Sequence, residues 1–135
     1  MSLGFSYAGH KIELLADNDK QAIQVASNQH PSADVLLEDL RQDGLSSKIC
    51  QKFKDIDLII GGPPCQGWSF AGWHKADDKR NDLIWCFLDY VKRISPRSFV
   101  MENVEGLRSQ CKGEALNQFI LEAEHLGYFV NYFVL

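Results

Sequence analysis

Residues 55–70 read "DIDLIIGGPPCQGWSF". The apolar run through Leu58, Ile59 and Ile60 stops at two glycines and two prolines, and a cysteine follows at once. A short apolar run bounded by turn-forming residues predicts a strand buried on both faces, and this is the clearest one in the chain. Prolines fix φ and donate no N–H, so Pro63 and Pro64 force a stiff, extended exit from the strand. Gly61, Gly62 and Gly67 permit another molecule to approach the backbone closely. A thiol delivered this way, that of Cys65, is expected at a sheet edge and not in a core.

Working outward, strands and helices alternate. "HKIELLADND" predicts a strand over Ile12 to Ala16 that ends in Asp17, Asn18 and Asp19. "KQAIQVASNQH" follows as a helix with Ala22, Ile23, Val25 and Ala26 on its apolar side. "ADVLLEDL" predicts a second strand ending in Glu38 and Asp39, and a polar segment around Gly44, Ser46 and Ser47 leads back to the opening stretch. Residues 61–80 carry no clean period. "DLIWCFLDYVKRI" predicts an amphipathic helix with Leu83, Phe87, Val91 and Ile94 on one face, stopped by Pro96. "RSFVMENV" predicts a strand, "EALNQFILEAEHLGY" a helix that Gly127 caps, and "FVNYFVL" a terminal strand.

This alternation predicts an α/β fold with a mostly parallel, doubly wound sheet and helices on both faces. In such sheets ligands bind beyond the carboxyl ends of the strands. Each predicted strand ends there in a polar or conformationally special group: Asp17, Asp39, Pro63-Pro64-Cys65, Glu102-Asn103. Four separate segments thus converge on one expected site. An acid directly after the apolar "SFVM" risks desolvation, which marks Glu102 as either used or ion-paired. Acids at the other strand ends are weaker signals, since loops are polar anyway; Asp17 stands out because a carboxylate in that place binds ribose hydroxyls in nucleotide-binding units. His74, Lys75, Lys79 and Arg80 form a basic cluster that is either a solvated face or a phosphate contact.

Composition narrows the classes. With 135 residues, 45% apolar and 24% charged, the chain is one ordinary globular domain or part of one. The net charge of -4 has the wrong sign for a chain whose main task is to grip phosphates. No apolar stretch approaches the ~20 residues that span a bilayer and no signal peptide opens the chain, so a cytoplasmic, membrane-free protein is expected. Cysteines at 50, 65, 86 and 111 include no CxxC pair and no histidine at ligand spacing, which predicts free thiols and no metal site. Cys50, Cys86 and Cys111 read as small buried hydrophobes.

Taken together, "GPPCQGWS" (62–69) after one strand and "MENV" (101–104) after the next resemble the DNA (cytosine-5) methyltransferase family. "DDKRNDL" (77–83) is similar to the family's Asp-x-Arg-x-x-Leu segment, "LADNDKQA" (15–22) to its ribose-binding strand end, "EDL" (38–40) to its next acidic strand end, and "LGY" (126–128) to a later block. The resemblance implies an S-adenosylmethionine-dependent, Rossmann-like methyltransferase fold. It also implies that residues 1–135 are a partial catalytic domain, without the family's first strand and Phe-x-Gly-x-Gly loop, without its Gln-x-Arg-x-Arg block and without the target-recognition domain.

By the same resemblance, Cys65 is the nucleophile that adds to C6 of cytosine, and the base is flipped out of the duplex to reach it. Glu102 holds the N3 and N4 edge and carries a proton to N3, Asn103 holds the loops together, and Arg80 positions the cysteine loop. Pro64, Gln66, Gly67, Trp68 and Ser69 belong to a lid over the base. S-adenosylmethionine is held by Asp17 at the ribose and Asp39 at the adenine amino group, with Asn18, Leu40, Pro63 and Leu83 around it. A bacterial modification methylase of a restriction-modification system is the expected setting, with DNA as a substrate that this chain alone binds weakly and methylates little. Exposed sheet edges invite pairing between copies, so a homo-oligomer is a further expectation. Three rival readings stay open: cytosine-5 methylation of transfer RNA, a non-catalytic scaffold or partner subunit, and an unrelated thiol enzyme with His74 as base.

Overall fold

A computed structural model describes residues 1–64, 82–109 and 113–135. The described residues fall into two units, Met1–Lys54 and Asp55–Leu135. Each has a pair of parallel strands with helices packed against it, so the α/β class and the parallel pairing are as expected.

The first unit contains α1 (Ser2–Tyr7), β1 (Leu14–Asp17), α2 (Lys20–Gln29), β2 (Asp34–Leu37) and α3 (Leu45–Lys52). β1 and β2 run parallel with Leu14 opposite Asp34 and Asp17 opposite Leu37. α2 starts where it does because Asp19 caps it, its carboxylate accepting from the Gln21 and Ala22 N–H groups at 2.7 and 3.1 Å. Leu15, Ile23 and Ile49 form the buried core here. His30, the buried polar side chain of this unit, has its Nε2 3.2 Å from Ser2 Oγ, a hydrogen bond that satisfies both.

The second unit contains β3 (Leu58–Gly61), α4 (Asp82–Ile94), β4 (Ser98–Met101), α5 (Gly106–Ser109) and α6 (Glu114–His125). β3 and β4 pair in parallel, Leu58 opposite Ser98 and Gly61 opposite Met101. The core joins Ile84, Leu88 and Val91 of α4 to Leu107 of α5 and to Phe119 and Ala123 of α6, with Ile59, Phe99 and Met101 of the strands packed on it. Phe99 is its hub, edge-to-face with Phe87, Phe119 and Tyr128 at centroid distances of 6.1, 6.0 and 5.1 Å. Gly127, at φ 93°, takes the left-handed turn that ends α6 and brings Tyr128 back onto Phe99. The Tyr128 hydroxyl donates to the Pro96 carbonyl at 2.7 Å. Burial of the phenol pushes its pKa up.

Five sequence expectations are corrected. Strand β1 begins at Leu14, not Ile12. Of the expected α4 face of Leu83, Phe87, Val91 and Ile94, Val91 is fully buried as expected, but the stripe is completed by Ile84 and Leu88, and Leu83, Phe87 and Ile94 are half-buried beside it. The polar segment after Asp39 forms α3, held by one buried side chain, Ile49, a signal too sparse to register as a period. Residues 129–135 are irregular, not a strand: Phe129 and Phe133 are 88% and 82% exposed, and a strand without a ladder partner has little to stabilise it. The strands are also not covered on both faces throughout. Val35, Leu37 and Val100 stand 49%, 45% and 41% exposed, while the alternate face of β4 carries Phe99 and Met101 into the core.

Candidate active site

In the second unit the two strand ends are joined side by side. The ladder continues one residue past β4, with the Glu102 N–H donating to the Gly61 carbonyl at 2.9 Å. One position on, Asn103 Nδ2 donates to the Pro63 carbonyl at 3.0 Å. Its Oδ1 meanwhile accepts from the Val104 N–H at 2.9 Å, which orients the amide and aims the NH2 at Pro63. Proline offers no N–H, so a side-chain donor across to its carbonyl is how the two exits are tied once the backbone ladder ends. Asn103 and Pro63 are half-buried, whereas Pro64 and Glu102 are exposed. The desolvation expected of Glu102 is therefore absent: alternation along β4 sends Phe99 and Met101 inward and leaves the acid at the open strand end.

Gly62 decides where that acid can lie. A Cβ at position 62 would come 3.1 Å from Glu102 Oε2, so the bare glycine backbone makes the room the carboxylate occupies. Gly61 does the same on the other side of the strand, where a Cβ would meet Phe87 Cε2 at 2.8 Å. The two glycines thus serve two close approaches, one to a helix and one to a carboxylate. Leu83 lies half-buried in the first turn of α4.

In the first unit the ends of β1 and β2 carry the remaining described candidates. Asp17, the last residue of β1, is exposed, and its Oδ1 accepts from the Asp19 N–H at 2.9 Å, leaving Oδ2 to the outside. Asn18 beside it is exposed and Leu40 is half-buried. Asp39 is gripped by Arg41. The guanidinium Nε donates to Oδ1 at 2.9 Å and the terminal nitrogen to Oδ2 at 2.5 Å, while the Arg41 backbone N–H adds a bond to Oδ1 at 3.0 Å. These hydrogen bonds, the side-chain ones first, hold the Asp39 carboxyl down at about 2. Sequence reasoning missed Arg41, although the Asp-x-Arg spacing was there to be read, and it missed Gly62 as the neighbour of Glu102.

Such carboxylate oxygens, open to solvent on one side, suit the hydroxyls and amino group of an adenosine as hydrogen-bond acceptors. Cys65, Gln66, Gly67, Trp68, Ser69 and Arg80 lie outside the described residues, as does Cys111. Cys50 and Cys86 are half-buried where full burial was expected. Among the described residues no cluster of three His, Cys, Asp or Glu could hold a metal, and no helix is long and apolar enough to cross a membrane.

Comparison with known proteins gives the chain a family. The family model of the C-5 cytosine-specific DNA methylases matches residues 1–135. The chain is 43% identical over 109 residues to the type II methyltransferase M.DdeI of Desulfomicrobium norvegicum, covering 80% of this chain and 26% of that protein. It is 39% identical over 123 residues to the type II methyltransferase M.HindV of Haemophilus influenzae, covering 89% and 39%. A solved structure described as a DNA modification methyltransferase encoded within an E. coli prophage superposes with a TM-score of 0.74 at 29% identity, covering 92% of this chain and 34% of that one. The chain thus spans less than half the length of these relatives. With the whole of its length matched by that family model, the chain belongs to the C-5 cytosine-specific DNA methylase family.

Proposed function

We propose that this chain carries the catalytic centre of a bacterial DNA (cytosine-5) modification methylase, with Cys65 as nucleophile and Glu102 as the group that holds and protonates the base. The observation that carries the reading is the tie between the two strand ends. Asn103 bonds Pro63 two residues before the cysteine and directly follows the acid. Through it, the backbone that presents the thiol and the backbone that presents the carboxyl are referred to each other.

Cytosine C5 is a poor nucleophile while the ring is aromatic. Addition of the Cys65 thiolate to C6 forms an Sγ–C6 bond and moves electron density to C5, the position methylated. Glu102, reaching the N3 and N4 edge, donates a proton to N3 as C6 is attacked, so negative charge does not build on the ring. Once C5 carries the methyl group, a solvent-derived base takes the C5 proton, the Sγ–C6 bond breaks to release the Cys65 thiolate, and N3 returns its proton to Glu102, which restores the aromatic ring. Arg80 supports the cysteine loop, and Pro64, Gln66, Gly67, Trp68 and Ser69 enclose a base turned out of the duplex. Bound S-adenosylmethionine supplies the electrophilic methyl group. Asp17 would accept from its ribose hydroxyls and Asp39 from its adenine amino group, with Asn18, Leu40, Pro63 and Leu83 lining the remainder.

DNA is the substrate this reading favours over transfer RNA, because the matched family is described as DNA methylases and the superposed structure as a DNA modification methyltransferase. The test is trapping. The polypeptide carrying these residues is incubated with S-adenosylmethionine and a duplex containing 5-fluorocytosine, whose fluorine blocks the last step. A covalent protein–DNA complex that Cys65→Ser abolishes is expected. Absence of the complex, or its persistence in Cys65→Ser, overturns the assignment.

A further inference from the structure

Arg41 spends its planar fork on a neighbour only two residues away. Short-range pairs of this kind in water contribute little to stability, so their effect on the carboxylate itself is the point of interest. A carboxylate oxygen offers two lone-pair directions. On Asp39, Oδ1 meets the Arg41 backbone N–H at 3.0 Å and Nε at 2.9 Å, so both of its directions are engaged. Oδ2 takes the terminal guanidinium nitrogen at 2.5 Å and a glancing approach from Nε at 3.2 Å. The carboxylate cannot turn about its own axis without breaking this set. The side chain remains 33% exposed, so one side stays open to a ligand.

We infer that Arg41 is a specificity-determining positioning residue: by locking Asp39 it leaves one outward acceptor direction, on Oδ2, and so makes the cofactor subsite select a base that donates an exocyclic N–H. The inference rests on the reading of Asp39 as the adenine partner and adds a determinant to it. A free aspartate would rotate, or take up a bridging water, to accommodate an acceptor in place of the amino group. A locked one cannot, so a base carrying a carbonyl there meets an acceptor facing an acceptor. The fork is also what a lysine cannot supply, because an ammonium is a point charge without a planar pair of donors.

The experiment is calorimetric titration of the chain with two probes, S-adenosylhomocysteine and S-inosylhomocysteine, which differ in the amino group and the carbonyl at that position. Wild type is expected to prefer the adenosyl probe. Arg41→Ala is expected to weaken adenosyl binding roughly 3- to 10-fold, the scale of re-immobilising one side chain, and to shrink the preference by a similar factor. Arg41→Lys, with the charge but no fork, should also lose the preference. Its circular dichroism and melting should match wild type, since the pair lies at the surface. An unchanged preference in both Arg41→Ala and Arg41→Lys overturns the inference, as does a Lys variant that behaves like wild type. Asp39→Ala separates the two layers. If that substitution leaves adenosyl affinity intact, or if wild type binds neither probe, the reading of Asp39 fails and the inference falls with it. If Asp39→Ala weakens binding while the Arg41 variants change nothing, only the inference fails.

Discussion

Gly61→Ala isolates the packing that sets the approach to the cysteine loop. The added Cβ would lie 2.8 Å from Phe87 Cε2 and 3.0 Å from Cδ2, against a comfortable carbon–carbon separation of about 3.5–4.0 Å. Something must move by most of an ångström. The Phe87 ring has little freedom to do so, since it lies edge-on to Phe99, which in turn abuts Phe119 and Tyr128. Overpacking of this kind costs about 1–3 kcal/mol. Replacing glycine restricts the unfolded chain and returns about 0.4–1 kcal/mol. The expected net loss is therefore about 0.5–2 kcal/mol, read as a lower urea midpoint at unchanged slope. Phe87→Leu removes the ring atoms in the way, so in that background Gly61→Ala should cost nothing or stabilise slightly. An equal loss in both backgrounds would refute the argument, because it would show that the ring is not the obstacle. Gly62→Ala is the internal control. Among the described residues its Cβ meets the movable end of an exposed carboxylate, at 3.1 Å from Glu102 Oε2, and the Glu102 carbonyl at an ordinary 4.0 Å, and stability should change by less than about 0.5 kcal/mol.

Acid should act on Asp39 in a defined window. Its carboxyl lies at about 2 instead of the ordinary 3.8, so the stabilisation it contributes is full above pH ~4 and is lost as pH falls towards 2. With both partners about a third exposed, solvent screening limits that contribution to about 0.5–1 kcal/mol. Carbon-detected NMR should find the low titration in wild type and its return towards 3.8 in Arg41→Ala; a wild-type value near 3.8 contradicts the fork. Asn103→Ala should cost about 1–2 kcal/mol through loss of the bond to Pro63, and Asn103→Asp at least as much, since it sets a carboxylate against a carbonyl. Urea melts indistinguishable from wild type would show that the tie contributes nothing. Phe119→Ala, at 2% exposure, should cost about 3–5 kcal/mol, while Leu121→Ala on the same helix at 55% exposure should stay within about 0.5. Comparable losses at the two sites would contradict the assigned core. Exposed Phe129, Phe133 and Val100 together predict self-association, and light scattering that finds only monomer at about 0.1 mM would exclude it.

Much of this was readable in the residues, and for identifiable reasons. β3 and β4 are short apolar runs with abrupt polar or proline ends, so both the strands and the residues beyond them were visible. α4 and α6 carry enough apolar residues for a period to emerge. α3 has one buried side chain and therefore no pattern to find. The segment 129–135 shows the limit of pattern from the other side. Its aromatic and β-branched composition is that of a strand, but a strand is a relation between two segments, and composition cannot say whether the partner is present. The α4 face was right at Val91 and one residue early at Leu83 and Phe87, because periodicity fixes a stripe only to within the width of a side chain, whereas packing of Ile84, Leu88 and Val91 on Leu107 and Phe119 fixes its centre.

The residues that sequence reasoning missed share a physical character. Glu102, Asn103, Asp17 and Asp39 were noticed because they bear functional groups. Arg41 and Gly62 act on those groups: one removes rotational freedom from a carboxylate, the other removes a methyl that would displace one. Neither role has a chemical signature of its own, and a glycine beside a strand-end acid is indistinguishable in sequence from a glycine in a turn. Both belong to the same strand-end architecture. Parallel strands stop side by side, their backbones run out of ladder partners together, and side chains must take over the work of holding the ends in register. Asn103 does so across to Pro63, whereas the Arg41 fork only fixes Asp39 within its own turn. A site assembled at such ends depends as much on what fixes the carboxylates as on the carboxylates themselves. That is why substitution at Arg41 is expected to change which base is bound and not only how tightly.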